Sequence, residues 1–379
     1  MLSQVLSPLT EEEFFRDYWG RKFLYLPGSP EKFSGFFNWD VLNRTLEQHR
    51  FTPGRLKLAK GGEELPPARF LNGPFVNASR LVDELSNGAS LVLNECEDVH
   101  PPLREFCIEL ERLFHVRVST NLYAGWRENN GFDVHWDDQD VIILQVAGPK
   151  HWKVWNPTRL HPFRKDLVDT SLRTRPAGDP IWEAALQPGE FLYIPRGWWH
   201  LVNPVNEPCL HLTVTIANLT GIDFLEWFRE RMKASVNARM DLPVVAPREE
   251  RRRWLEAVKR DLDAIWSENL IEEFMRENDG NAVARPQLSL PSVALSNQAL
   301  MAGKPMQLAV ARPLHFLVGD GTARFAANGC EWEVKPYVAE KLERFNDFAP
   351  HTLAELAPDF RVVGIVMALL NSGILRIAG

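Results

Sequence analysis

The alternation of apolar and polar positions changes period twice along the chain. Near the start, Thr10 followed three residues later by Glu13 has the spacing of a capping box, and Phe14, Phe15, Tyr18 and Trp19 then line one helical face. A short strand is expected over 23–26, before Pro27-Gly28. Helical patterns follow near 78–87 and 101–114, the second with Leu103, Phe106, Leu110 and Phe114 at spacings of three and four. From Val116 to about Ala217 the pattern becomes short β-type runs: VRVSTNLYAG, FDVHW, DVIILQV, KHWKVW, EFLYIP and CLHLTVTIA. Turn signals at Gly148-Pro149, Asn156-Pro157, Pro188-Gly189 and Arg196-Gly197 separate them, which predicts a double-sheet barrel or jelly roll able to enclose a ligand.

After Gly221 the helical period returns. Residues 223–240 read as one helix, and 248–278 as a second with Trp254, Val258, Leu262 and Ile265 on one face and Arg251-Arg252-Arg253 on the solvated side. A Pro-, Ser- and Asn-rich linker is expected over 286–305. Beyond it come strand-like LHFLV and RFAAN, a helix starting at Pro336, a short helix capped by Thr352 with Glu355, an apolar helix ending at Gly373 and a terminal strand. That order suggests a small winged-helix module. The expected organisation is a mainly β barrel domain with N-terminal helices (1–220), a helical connector suited to homodimer formation (221–290) and a winged-helix-like domain (306–379).

Composition narrows the partners. With 379 residues, 45% hydrophobic and 25% charged, the chain is long enough for two or three globular units. Its 43 basic and 50 acidic residues leave a net charge of −7, without the broad basic field of a phosphate-backbone binder. Within 312–379, seven Lys/Arg stand against eight Asp/Glu, so the C-terminal module is not expected to read DNA. Four scattered cysteines form no CxxC pair, arguing against a disulfide framework and for a reducing compartment. With neither a secretion signal at the start nor a membrane-length apolar run, a soluble cytoplasmic protein is expected.

The chemistry concentrates in GFDVHWDDQDVIILQVAGPKHWKVW. Residues two apart on a strand share a face, so His135 and Asp137 can offer a nitrogen and a carboxylate oxygen to one ion. His200, after the Pro195-Arg196-Gly197 turn, is the third candidate. Two histidines and a carboxylate on one side of a metal suit Fe(II), leaving positions open for a bidentate co-substrate and then dioxygen. Lys150, fifteen residues after His135 on a returning strand, can pair its ammonium with a co-substrate carboxylate. His151 should point away from that face. His211, alternating with apolar neighbours in LHLTV, reads as a core or edge histidine. Trp136 and Trp199, beside the ligands, are candidates for lining a substrate cleft.

The motifs HxD, GxKxW and PxGxxH, in HWDDQDVIILQVAGPKHWKVW and QPGEFLYIPRGWWH, followed by CLHLTVTIANLTGIDFLEWF, resemble those of the JmjC-type ribosomal oxygenases. The N-terminal FFRDYWGRKFLYLPG and the domain order extend the resemblance over nearly the whole chain. It implies a double-stranded β-helix (cupin) fold and a protein hydroxylase using Fe(II), 2-oxoglutarate and O2. It also implies His135, Asp137 and His200 as iron ligands, and Lys150 as partner of the distal 2-oxoglutarate carboxylate. Asn121, Tyr123, Thr213 and Thr215 would stand beside that co-substrate. The implied substrate is an arginine or histidine side chain of a ribosomal protein; GPKHW, with lysine, is nearer the eukaryotic motif form than the bacterial arginine-bearing one. Alternatives left open are a JmjC hydroxylase of a tRNA nucleoside or small molecule, a metal-binding cupin without oxygenase activity, and a non-catalytic interaction protein.

Overall fold

The structure is a computed structural model describing residues 1–52, 54–126, 133–167, 176, 178–205, 207–290, 303–356 and 359–378. Phe132 of the FDVHW run and 291–302 of the expected linker lie outside the described residues. The chain divides into two compact units, Met1–Asn218 and Leu219–Gly379.

The first unit opens with helices α1 (Leu2–Leu6) and α2 (Glu11–Asp17), the latter closed by the expected Thr10/Glu13 capping box. In chain order there follow β1 (Leu24–Leu26), α3 (Trp39–Gln48), β2 (Leu56–Lys60), β3 (Glu63–Glu64), the hairpin β4 (Leu71–Asn72) and β5 (Phe75–Val76), α4 (Ala78–Ser86), β6 (Ser90–Leu93) and α5 (Pro101–Phe114). The barrel strands are β7 (Val118–Gly125), β8 (Asp140–Ala147), β9 (Lys150–Trp155), β10 (Trp182–Leu186), β11 (Phe191–Ile194), β12 (Trp199–Pro204) and β13 (Cys209–Ile216).

They form two sheets. The large one has the order β1-β11-β8-β13-β7-β6-β2-β3, and the small one β10-β9-β12. β8 lies inside the large sheet, flanked by β11 and β13, and its run VIILQV is buried throughout, as a strand covered on both faces should be. β9 alternates instead: Lys150, Trp152 and Val154 face inward while His151, Lys153 and Trp155 are half-exposed. Val141, Ile143, Leu192 and Ile194 from the large sheet pack against Trp152, Val154 and Leu186 from the small one. This apolar cluster holds the sheets face to face and leaves a cavity beside it.

Three expectations need correction here. The run around His135 is no strand among the described residues; only His135 itself pairs, in an isolated bridge with His200. β10 and β12 were not anticipated as strands. Neither were β2 and β6, which widen the large sheet from within the mixed region 30–115.

In the second unit, α6 (Gly221–Met232) starts at a Thr220/Asp223 capping box, and α7 (Val236–Arg239), α8 (Arg248–Ile265) and α9 (Leu270–Asn281) follow. The helices expected over 223–240 and 248–278 are thus each interrupted, the latter where Trp266 leaves helical geometry at ψ 115. β14 (Met306–Leu308) pairs with β18 (Leu375–Ile377), and β15 (Leu317–Gly319), β16 (Thr322–Ala327) and β17 (Cys330–Val334) form an antiparallel meander. Helices Pro336–Leu342 and Phe360–Asn371 supply Leu342, Val366 and Leu369 to a core shared with Phe345, Leu356 and Ile374. Thr352 and Glu355 do exchange capping bonds, but residues 353–356 make a turn, and 357–358 lie outside the described residues. No helix among the described residues is long and apolar enough to cross a membrane.

Candidate metal centre

Two motif glycines shape the turns that present the site. Gly148, between β8 and β9, has φ +58, and a Cβ there would sit 1.9 Å from the Pro208 carbonyl oxygen. Only glycine fits both the left-handed backbone and the close approach. The buried Gln145 side chain donates to the Gly148 carbonyl at 2.7 Å, so the turn that delivers Lys150 is fixed from inside. Gly197, before β12, has φ +84, and its absent Cβ would lie 2.4 Å from the Arg159 carbonyl oxygen. Its N–H donates to the Asp137 carbonyl at 2.8 Å, tying the loop after His135 to the turn before His200.

The structure brings the three candidate ligands together. His135 and His200 exchange backbone hydrogen bonds of 3.1 and 2.7 Å, and their ring centroids lie 4.4 Å apart. One ligand atom from each of His135, Asp137 and His200 lies within 4.8 Å of the other two. Each imidazole is oriented through Nδ1: that of His135 is 2.6 Å from the Asp133 carbonyl, and that of His200 is 3.1 Å from the Trp198 carbonyl. A carbonyl can only accept, so both Nδ1 atoms carry the proton and the lone pairs are on Nε2, the tautomer found in metal-bound histidines. His200 Nε2 lies 3.5 Å from Asp137 Oδ2. Burial, with the neighbouring His135, pushes the His200 pKa below its usual value against the opposing pull of Asp137, favouring the neutral, ligating form. Two imidazole nitrogens and one carboxylate are a donor set that fits a divalent ion of intermediate softness with positions left open.

The triad shares a cavity of about 90 Å³ with Lys150, Tyr123, Thr213, His211 and Trp152, several times what a water molecule needs. Lys150 pairs across the small sheet with Pro204, whereas His200 pairs with Val154, so lysine and histidine are four strand positions apart. That is about 13 Å along the strand, part of which the long lysine side chain spans. Lys150 is 6% exposed, and among the described residues no carboxylate lies within ion-pair distance of it. Burial pushes its pKa down to about 8.

The other candidates divide. Tyr123 and Thr213 line the cavity. Asn121 accepts from the Glu95 N–H at 3.2 Å, and neither it nor Thr215 is among the lining residues. His151 faces outward and meets Glu183 at 3.2 Å, as expected. Trp136 and Trp199 do not line the cavity; both are buried, in an edge-to-face contact, because the bridge at His135 turns its neighbours into the core. Trp152 is the indole in the cavity wall. His211 is the residue sequence reasoning missed: it is buried against Lys150 inside the cavity rather than being a plain core histidine.

Comparison with known proteins accords with this geometry. Residues 100–223, which hold every one of these side chains, match the JmjC domain family. The chain is 29% identical over 230 residues to a Drosophila pseudoobscura pseudoobscura protein named bifunctional lysine-specific demethylase and histidyl-hydroxylase NO66, covering 56% of this chain and 22% of that protein. It is 29% identical over 231 residues to ribosomal oxygenase 1 of Gallus gallus, covering 59% and 37% respectively. The chain thus spans well under half the length of these relatives. Among solved structures, Escherichia coli YcfD, described as a ribosomal oxygenase, superposes with a TM-score of 0.59 at 18% identity over 98% of this chain and 99% of that one. A further YcfD structure, with cobalt and 2-oxoglutarate, gives a TM-score of 0.57 at 17% identity, covering 98% and 99%. Residues 100–223 are thus similar to the JmjC domain family, and the chain shares its fold with YcfD over nearly its whole length.

Proposed function

We propose that this chain is an Fe(II)- and 2-oxoglutarate-dependent oxygenase that hydroxylates an arginine or histidine side chain of a ribosomal protein. The observation that carries the reading is Lys150: a buried ammonium without a carboxylate partner among the described residues, in the same cavity as a His-Asp-His cluster. A buried cation of that kind calls for an anionic ligand. A dicarboxylic oxo-acid offers one end to each part of the cavity.

In this reading His135, Asp137 and His200 hold the iron, with the two Nε2 atoms and one carboxylate oxygen as donors. Asp137 offsets part of the ion's charge. Lys150 pairs with the distal carboxylate of 2-oxoglutarate, and Thr213, Thr215, Tyr123 and Asn121 belong to the polar strand faces beside it. Trp152, Val141, Ile143 and Val202 form apolar walls that exclude water from the reacting centre. Iron with 2-oxoglutarate bound there supplies the oxidising power, drawn from dioxygen, to hydroxylate an unactivated carbon.

The catalytic domain is assigned to 1–220, a dimer-forming connector to 221–290 and a winged-helix-like domain to 306–379. A homodimer is favoured by the connector's surface: α8 buries no residue, and Leu255, Trp266 and Ile271 are 61%, 59% and 66% exposed. The near-neutral charge of the C-terminal domain favours a protein contact over DNA, and the scattered cysteines, with no CxxC spacing, favour the reducing cytoplasm.

The test is succinate formation by the Fe(II)-reconstituted protein supplied with 2-oxoglutarate and oxygen, with and without ribosomal protein. We expect turnover stimulated by ribosomal protein, a one-oxygen mass gain on one of its residues, and none of this in H135A. No succinate above the H135A level would overturn the reading. Turnover without any modified ribosomal protein would move the substrate to a tRNA nucleoside or small molecule.

A further inference from the structure

The motif HLTV places His211 where its only sequence signal is alternation with apolar residues, yet the fold turns it into the cavity. β13 pairs with β8 on one side and β7 on the other, and its register with β8 slips between Leu210 and His211. Its register with β7 is unbroken, so His211 and Thr213, two apart on the strand, share the face that lines the cavity. On the other side His211 is the direct cross-strand partner of Tyr123, and the two rings stack with centroids 5.0 Å apart and planes 7° apart. Trp152, from the opposing sheet, closes on the imidazole edge-to-face at 5.5 Å. The ring is therefore held between Tyr123 and Trp152 and is only 2% exposed.

Held in this way, His211 directs Nδ1 at the Lys150 ammonium, 3.1 Å away. Lysine carries donors only, so Nδ1 is the acceptor and the imidazole proton sits on Nε2. Among the described residues, the other groups facing Lys150 are the Tyr123 ring, whose centroid is 5.9 Å from Nζ, and the Cys209 thiol. None of these neutralises the ammonium. They restrict where it points while leaving its charge available.

We propose that His211 is a positioning residue: its neutral imidazole, clamped by Tyr123 and Trp152, accepts a hydrogen bond from Lys150 and aims the ammonium at the anionic end of the ligand. The proposal rests on the co-substrate reading above and adds a component to it. A lysine has many rotamers, and a buried one tethered only at its Cα would lose part of its attraction for a carboxylate to disorder. Fixing the ammonium before the ligand arrives removes that cost from the binding step. Arginine would need no such prop, since its planar fork is already organised.

Two substitutions separate the hydrogen bond from the stacking. H211F keeps a flat ring against Tyr123 and removes the acceptor; H211N loses the ring but keeps an acceptor oxygen near the place of Nδ1. The measurement is 2-oxoglutarate affinity of the Fe(II)-loaded protein without oxygen, read from the visible charge-transfer absorption of the chelate, with Co(II) absorption as a separate gauge of the triad. We expect H211F to bind 2-oxoglutarate about tenfold or more weakly, the loss of one charge-assisted hydrogen bond. H211N should stay within about threefold of the parent, and both should bind Co(II) as the parent does. H211F within twofold of the parent, or H211N as weak as H211F, would overturn the positioning role. K150M distinguishes the levels: if the parent binds no better than K150M, the co-substrate reading fails and the proposal falls with it. If the parent exceeds K150M while H211F matches the parent, only the role of His211 fails.

Discussion

The two parts of the cavity are built by opposite means. Around the triad, His135 and Asp137 lie on an irregular segment that is pinned by backbone bonds to the turn before β12, and the Asp137 side chain is 39% exposed. Around Lys150, every side chain stands on a regular strand, and the lysine and His211 are buried. The difference follows from the tasks proposed for each. A metal centre must admit oxygen and a substrate, so it sits at the open margin of the sheets. A charge that holds one end of a co-substrate gains from a dry, rigid setting, where an ion pair is stronger than in water. Irregular backbone supplies access, and regular strand supplies rigidity.

The sharpest way to break this contrast is at the triad. H135A should reduce Co(II) or Fe(II) affinity by more than the roughly 10–100-fold typical of losing a supporting hydrogen bond, because a donor atom itself is gone. Isothermal titration with Co(II) measures it. If the affinity is unchanged, the cluster is not the metal site. At the other part, G148A tests whether the rigid delivery of Lys150 depends on one left-handed turn. The strained φ and the clash with the Pro208 carbonyl should cost about 2–3 kcal/mol, lowering the thermal midpoint by roughly 5–10 °C. A midpoint equal to the parent's would show that the turn can relax at no cost.

The smallest effect is in pH. The Lys150 pKa is lowered by burial, to about 8, so the ammonium is present below that value and is lost as pH rises through it. Affinity for 2-oxoglutarate should be flat from pH 6.5 to 7.5 and then fall by about tenfold per unit above about 8, until the higher pKa of the ligand-bound lysine is passed. K150M should remove that slope, whereas a slope unchanged in K150M assigns the titration to another group.

Legibility in the sequence followed the same division. The regular part was readable wherever side chains alternate: β7, β8, β9, β11 and β13 all fall inside runs recognised by period, and alternation correctly turned Lys150 inward and His151 outward. Strands β2 and β6 were not, because runs of five and four residues in a mixed segment become strands only through the partners the fold supplies. His211 was missed for a related reason: it shares its strand face with Thr213, but its contact with Lys150 depends on which strands pair, and no local pattern announces that. The triad was readable from motif spacing, although the strand expected to carry His135 is a single bridge. Trp136 and Trp199 misled because adjacency to a ligand in sequence says nothing about which way an irregular backbone turns a side chain.

The bridge between His135 and His200 carries one more consequence. Two reciprocal main-chain bonds, rather than side-chain rotamers alone, set the distance between the nitrogen donors. The proposed ion would meet donor atoms already gathered within 4.8 Å of one another, so its coordination should leave the surrounding chain almost as it was. Exchange of one divalent ion for another of similar size should then proceed without unfolding the barrel, and which metal the protein carries is decided by the supply around it more than by its own shape.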